Sequence, residues 1–317
     1  MNDTVLNFDG DFKWSEAKKI DCPYEYILKI KDYASRQTDL IMYKIKRTVN
    51  DLSGSTPSNF YGVLEYTENT KTDAEREELR QENIKRSARR AKQAVQDAIR
   101  TINADHMITL TTRENINDRE KFFKIFKEFV RLVRTKGVRL NNGKRELFTL
   151  QERRQWLFVA VPEFQNRGAY HMHIAVHGKQ DINLLLSCWY SALGGSPSDT
   201  GDITKGAVNV SYKNKRFGGK TEKYNVMALV YYLVKYIAKS FEHDETLGIN
   251  RYSRSHGIPK PVVTKQFIWT SYKNNKGDFW EAVKEVYAIA DFMGLQELVP
   301  WNKKNSDEIF ILRGVWE

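Results

Sequence analysis

Hydrophobic positions change period repeatedly between His106 and Phe241. His106-Met-Ile-Thr-Leu-Thr-Thr112 alternates and predicts a strand. Asp118–Thr135 places Phe122, Phe126, Phe129 and Leu132 on one side, the pattern of an amphipathic helix. Gln155–Phe164 reads as a second strand. The tight turn Gln165-Asn-Arg-Gly168 joins it to Ala169–His177, a β-branched, aromatic and apolar run. Asp181–Leu193 predicts a helix with Asp181 as its N-cap. Gly206–Tyr212 is another strand, and Tyr224–Phe241 another helix. The order β-α-β-β-α-β-α predicts an α+β fold. Its core is an antiparallel sheet with helices on one face, a split-βαβ, ferredoxin-like arrangement.

Outside this core the pattern is weaker. Tyr24–Lys31 and Leu40–Arg47 read as a hairpin around Ser35–Asp39, and residues 51–59 as a loop. Asp73–Ile102 is charged, Ala-rich and free of Gly and Pro, so it predicts one long helix. Residues 250–265, with Pro259 and Pro261, read as a connector. The tail from Asp278 holds a helix to about Met293 and a strand over Glu308–Val315. The expected organisation is an N-terminal extension over 1–72, a core domain over 73–265 and a C-terminal extension over 266–317.

Composition narrows the partners. The 317 residues are 41% hydrophobic and 29% charged, ordinary for a globular chain. Lys and Arg outnumber Asp and Glu by 51 to 40, a net charge of +11 with pI near 9.4, which favours a polyanionic partner. Two cysteines, Cys22 and Cys188, make neither a disulfide framework nor a Cys-rich zinc site and fit a reducing compartment. The longest uncharged apolar run, near Val226–Val234, is about half a membrane span. The N-terminus is acidic and unlike a secretory signal. These features predict a chain that works in the cytoplasm of a host cell, away from membranes.

Two constellations carry chemistry. Side chains alternate along a strand, so His171 and His173 share a face and Met172 enters the opposite layer. Two imidazoles about 6–7 Å apart on one strand can converge on a cation. Packing alone also produces such pairs. His177 shares their parity but lies about 13 Å beyond His173 and reads as a strand-end residue. Glu163 ends the preceding strand across the turn. Two imidazoles and a carboxylate form a mixed donor set that suits Mg²⁺ or Mn²⁺ more than a closed zinc site. A solvated Glu is the bland alternative.

The second constellation is Tyr232-Leu-Val-Lys235-Tyr236-Ile-Ala-Lys239. A spacing of four puts Tyr232 and Tyr236 on one helix face, one turn apart. A phenol with pKa about 10 needs a metal, base or cation to act as a nucleophile, and Lys235 and Lys239 lie close enough to supply charge. Tyr231 is rotated away and is expected to pack. A metal pair and a tyrosine pair together suggest phosphoryl transfer to tyrosine.

Two basic stretches predict phosphate contacts. Lys85, Arg86, Arg89, Arg90 and Lys92 form one face of the long helix. Lys213, Lys215, Arg216, Lys220 and Lys223 surround Tyr212 and Phe217 in a Gly-rich loop. Gly218-Gly-Lys-Thr221 is not a phosphate loop, because its first Gly position is Asn214.

Thr109-Leu-Thr111, then Pro162-Glu163 with Arg167-Gly-Ala-Tyr-His171-Met-His173, then Tyr232-x-x-Lys235-Tyr236-x-x-Lys239, occur in that order. They resemble the three motifs of HUH endonucleases, in particular the rolling-circle replication initiators (Rep) of single-stranded DNA phages and related plasmids. The resemblance covers about residues 85–260. It implies that His171, His173 and Glu163 hold the metal and that Tyr232 or Tyr236 attacks DNA, with Tyr232 expected to cut first. It implies a single-strand nickase and strand transferase that leaves a 5′-phosphotyrosine link and a free 3′-OH. It implies partners as well: single-stranded origin DNA, with a hairpin expected, a separate helicase and a polymerase. A transposase or mobilisation relaxase with the same site, or a non-catalytic DNA-binding regulator on the same fold, are the alternative readings.

Overall fold

The computed structural model describes residues 26–44, 72–136, 138–139, 145–146, 156–178, 180–195, 205–211, 215–217, 220–222, 226–243, 249–268, 272–273, 276–277, 279–303 and 306–316. Cys22, Tyr24, the loop at 51–59, Tyr212, Lys213, Lys223 and the end of the expected second strand lie outside them. The chain divides into two compact units. One is Asp32–Thr38 with Thr56–Val262; the other is Met1–Lys31, Asp39–Ser55 and Val263–Glu317.

The larger unit is built on a five-stranded sheet in the order β11-β6-β7-β3-β8, with β3 at His106–Thr112, β6 at Phe158–Phe164, β7 at Tyr170–Val176, β8 at Gly206–Ser211 and β11 at Ser253–Arg254. Every neighbouring pair is antiparallel. The two helices inserted between these strands are α2 (Arg119–Arg131) and α3 (Ile182–Ala192). They pack on one face, as expected. Phe122, Phe126, Phe129, Leu184, Leu185, Cys188 and Trp189 meet Ile108, Leu110, Phe158, Ala160, Met172, Ile174 and Val208 there. Asp118 and Asp181 cap the two helices by accepting hydrogen bonds from first-turn backbone N–H groups. A short π turn over Leu132–Lys136 ends the first helix earlier than its apolar period suggests.

The other face is also covered, which the sequence reading did not foresee. Helix α1 (Asp73–Thr101) and helix α4 (Val226–His243) bury Ile84, Val95, Ile99, Leu229, Leu233, Ile237 and Phe241 against Met107, Val159, Val161 and Ala175. The reason lies in the strands: β6 and β7 are apolar at odd and even positions alike, the signature of a strand buried on both faces. Each large apolar side chain so buried contributes about 1.5–3 kcal/mol. Thr72 and Glu75 form a capping box at the start of α1.

Two further corrections fall in this unit. The expected loop over 213–223 holds an antiparallel hairpin of β9 (Lys215–Phe217) and β10 (Lys220–Glu222), with Lys220 opposite Phe217. The expected connector contains β11, whose Ser253 and Arg254 pair with Ala160 and Val159. A two-residue pair, β4 (Val138–Arg139) with β5 (Arg145–Glu146), completes it.

The second unit is a sheet in the order β12-β1-β2-β16-β15, made of β1 (Tyr26–Asp32), β2 (Gln37–Lys44), β12 (Val262–Ile268), β15 (Gln296–Asn302) and β16 (Ile309–Val315). Helix α5 (Phe279–Phe292) packs on it through Phe279, Val283 and Val286, against Tyr26, Leu28, Leu40, Met42, Phe310 and Leu312. A short β13–β14 hairpin over Tyr272–Lys273 and Lys276–Gly277 precedes the helix. Strand β15 was not read from the sequence. It is an edge strand with Pro300 and a register shift between Gln296 and Val299, so neither period appears in it. Among the described residues, no helix is long and apolar enough to cross a membrane.

Candidate active site

Backbone register brings the acid and the histidines together. Glu163 on β6 faces His171 on β7, Val161 faces His173, and Thr109 on β3 faces His173 from the other side. Facing residues in an antiparallel pair project to the same side. Glu163, His171 and His173 therefore share the face covered by α4, while Met172 enters the opposite core as expected.

His173 is the most constrained of the three, at 4% exposure. Its Nε2 lies 2.8 Å from Glu163 Oε2, and its Nδ1 lies 3.2 Å from Thr109 Oγ1. Burial pushes its pKa down, while the hydrogen bond and charge of Glu163 push it up; the net shift is downward. A hydroxyl both donates and accepts, so Thr109 can hold either tautomer of the ring. Thr109 was noted in the sequence only as part of a strand motif.

His171 is held differently. Gln165 Nε2 lies 2.8 Å from its Nδ1 and Arg167 Nη2 lies 3.2 Å from its Nε2. A neutral imidazole has one lone pair, so it accepts from one of these donors at a time. Arg167 is itself anchored, donating to Thr112 O at 2.6 Å, to Asn115 Oδ1 at 3.2 Å and to Gln165 Oε1 at 3.1 Å. Burial, then the charges of Arg167 and His173, lower the pKa of His171 to about 4. The ring is neutral at physiological pH.

The tyrosines stand directly on this pair. The Tyr236 ring stacks on His173 with centroids 4.6 Å apart, and Tyr232 meets the same imidazole edge-on at 5.5 Å. The Tyr236 hydroxyl donates to the Tyr232 hydroxyl at 2.8 Å. Burial, the hydrogen bond to Tyr232 and the charge of Glu163 raise the pKa of Tyr236 well above its ordinary value. Tyr236 is thus a held proton donor, and the more exposed Tyr232 presents the accepting oxygen. Lys239 Nζ lies 3.8 Å from Glu163 Oε1 and 5.5 Å from the Tyr236 ring centre. Lys235 and Tyr231 are exposed; Tyr231 does not pack as expected, because the apolar face of α4 is turned by 100° per residue away from it.

Two neutral imidazoles and a carboxylate are the right residue types for a divalent cation, and neutral rings coordinate without first losing a proton. Their side chains are engaged elsewhere: His171 Nε2 faces Arg167, and His173 Nε2 faces Glu163. Among the described residues no three His, Cys, Asp or Glu side chains converge as a ligand set. The donor set fits a cation only after rotation of His171 away from Arg167.

The expected DNA-contacting residues lie apart from this cluster. Lys85, Arg86, Arg89 and Arg90 are exposed on α1, opposite its buried Ile84 and Val95, and Arg86 pairs with Glu82. Lys215, Arg216 and Lys220 sit on the β9–β10 hairpin.

Beside the site, a cleft of about 320 Å³ is lined by Arg119, Phe164, Tyr170, Tyr236, Lys239 and Arg251, among others. It opens where β6 loses its outer neighbour: β11 pairs only with Val159 and Ala160, and Pro162 has no N–H to continue a ladder. The sequence reading did not single out Arg119, Phe164 or Arg251, which come together from three separate segments.

Residues 105–241 of this chain match the family of replication-associated proteins of the ORF2 type. The match spans less than half of the chain, but it contains Thr109, Glu163, Arg167, both histidines, both tyrosines, Lys235 and Lys239. It associates the chain with DNA replication. No curated protein and no solved structure matches the chain.

Proposed function

We propose that the protein is a site-specific endonuclease and strand transferase for single-stranded DNA that starts rolling-circle replication. The carrying observation is the tyrosine pair seated on the His173–Glu163 pair, with Tyr236 donating to the Tyr232 oxygen. Family likeness favours replication over transposition or plasmid transfer.

In this reading the Tyr232 oxygen attacks a backbone phosphorus. The Tyr–O–P bond forms, the P–O3′ bond breaks, and the tyrosine proton ends on the departing 3′ oxygen. One phosphate ester replaces another, so the step reverses without ATP. As Tyr232 loses its proton, the hydrogen bond from Tyr236 falls on a developing phenolate, where it is worth most. Lys239, 3.8 Å from Glu163, brings positive charge to the same end of the site. Once Tyr232 carries a strand, Tyr236 is the second nucleophile one turn away, suited to the next transfer. Held by His171, His173 and Glu163, Mg²⁺ or Mn²⁺ would supply positive charge against the phosphate as its negative charge grows. The free 3′-OH serves a separate polymerase and helicase. Exposed Lys85, Arg86, Arg89 and Arg90 supply phosphate contacts along the strand.

The test is incubation of the full chain with a randomised single-stranded oligonucleotide library in Mn²⁺, followed by recovery of detergent-resistant protein–DNA adducts. The reading expects adducts joined at one sequence, lost in chelator and in His173→Ala. Binding without any adduct under these conditions refutes it and leaves a DNA-binding regulator.

A further inference from the structure

We infer that the cleft beside Tyr236 is a nucleotide subsite that takes one base of the DNA strand next to the phosphate being cut, with Phe164 as its stacking platform. The inference rests on the proposed function and adds a specificity element to it.

The cleft has the two chemistries that a nucleotide needs. Phe164, Tyr170 and Tyr236 supply aromatic surface, and Arg119, Lys239 and Arg251 supply positive charge against Glu163 and Glu242. Its volume, about 320 Å³, is at the small end of ligand sites, of the size of one nucleotide and not of an extended strand. Phe164 is 36% exposed although it sits against Tyr170, edge to face at 5.0 Å. That contact fixes the ring and leaves a face for a partner, the arrangement by which proteins hold unpaired bases.

The cleft is also continuous with the chemistry. Glu163, Tyr236 and Lys239 line it and belong to the site, so a phosphate there puts the adjoining sugar and base at the cleft mouth. The cations are fixed. Arg251 is 4% exposed, donates to Ser240 O at 2.6 Å and lies over the Phe241 ring at 4.5 Å. Arg119 donates to the Asn250 carbonyl and lies over the Phe123 ring at 4.9 Å. Held in place, these guanidinium groups lose little freedom when a ligand arrives. Asn166, Ser240 and Glu242 supply edge groups that can discriminate between bases.

The experiment measures affinity of the full chain for labelled twenty-nucleotide oligothymidylate and for the matching abasic strand of the same length and charge. Phe164→Ala should weaken binding to the base-bearing strand about tenfold, in the range of one base–aromatic stack, and leave the abasic strand within twofold. Phe164→Trp should restore the difference, which separates stacking from misfolding. Equal loss on both strands, or no loss on either, overturns the subsite while adduct formation still stands. Failure of the unaltered chain to bind any single strand overturns the subsite and the proposed function together. Thymidine monophosphate distinguishes the sources of the chemistry: weak competition supports a strand subsite, and full competition at stoichiometric amounts would make it a free-nucleotide site and overturn the inference.

Discussion

Replacing Tyr236 with Phe removes one oxygen and keeps the ring that stacks on His173. The lost contact is the 2.8 Å hydrogen bond to Tyr232. Between neutral hydroxyls it contributes about 1 kcal/mol, so the melting temperature should fall by about 2–4 °C. When Tyr232 attacks, its oxygen carries negative charge and the same bond is worth about 2–3 kcal/mol. The excess of about 1–2 kcal/mol appears only in the transition state, and predicts first cleavage slower by about 5- to 30-fold. The assay is single-turnover adduct formation on one oligonucleotide, with strand affinity measured in parallel and expected to be unchanged. Complete loss of adduct would make Tyr236 the nucleophile. An unchanged rate with a lowered melting temperature would show that the bond is structural and does nothing for the reaction.

Three other outcomes follow from the same geometry. The folded chain holds His171 neutral down to about pH 4 against 6.5 for the free side chain, so it binds fewer protons than the unfolded chain between those values. Stability is therefore full above about pH 6.5 and falls as pH drops through that window, by up to about 3 kcal/mol, a slope that urea melts should find missing in His171→Gln. Gly206→Ala would place a Cβ 2.4 Å from the Thr111 carbonyl oxygen and 2.9 Å from Trp189 Nε1, which bond each other at 2.9 Å. Backbone cannot yield there, so a loss of about 1–3 kcal/mol is expected, and a melting temperature equal to the parent's would contradict the packing. Arg167→Ala frees His171 Nε2, so Mn²⁺ affinity by calorimetry should rise; a fall would make Arg167 a support of the ligand geometry and not its competitor.

The site was more legible in the sequence than its surroundings. Parity along Tyr170–Val176 was enough to place His171 and His173 together, because strand alternation is a local property. The tyrosine pair was legible for the same reason, from helical spacing. Thr109, Gln165 and Arg167 were not assigned contacts to the rings, since register across three strands decides them. The sheet's second covered face was hidden too. Strands buried on both sides lose their alternation, and with it the signal of which helix lies where. Strand β15 escaped because Pro300 and a bulge disrupt its period, and the partnership of β2 with β16 cannot be read from segments that far apart.

The central claim is that a tyrosine of this pair becomes covalently joined to DNA. Peptide mass spectrometry of the adduct formed with single-stranded DNA in Mn²⁺ tests it directly. The account predicts a nucleotide-bearing peptide from α4 modified at Tyr232, with Tyr236 modified once a second strand is supplied. DNA cut with no protein attached, or attached outside these two tyrosines, would contradict it.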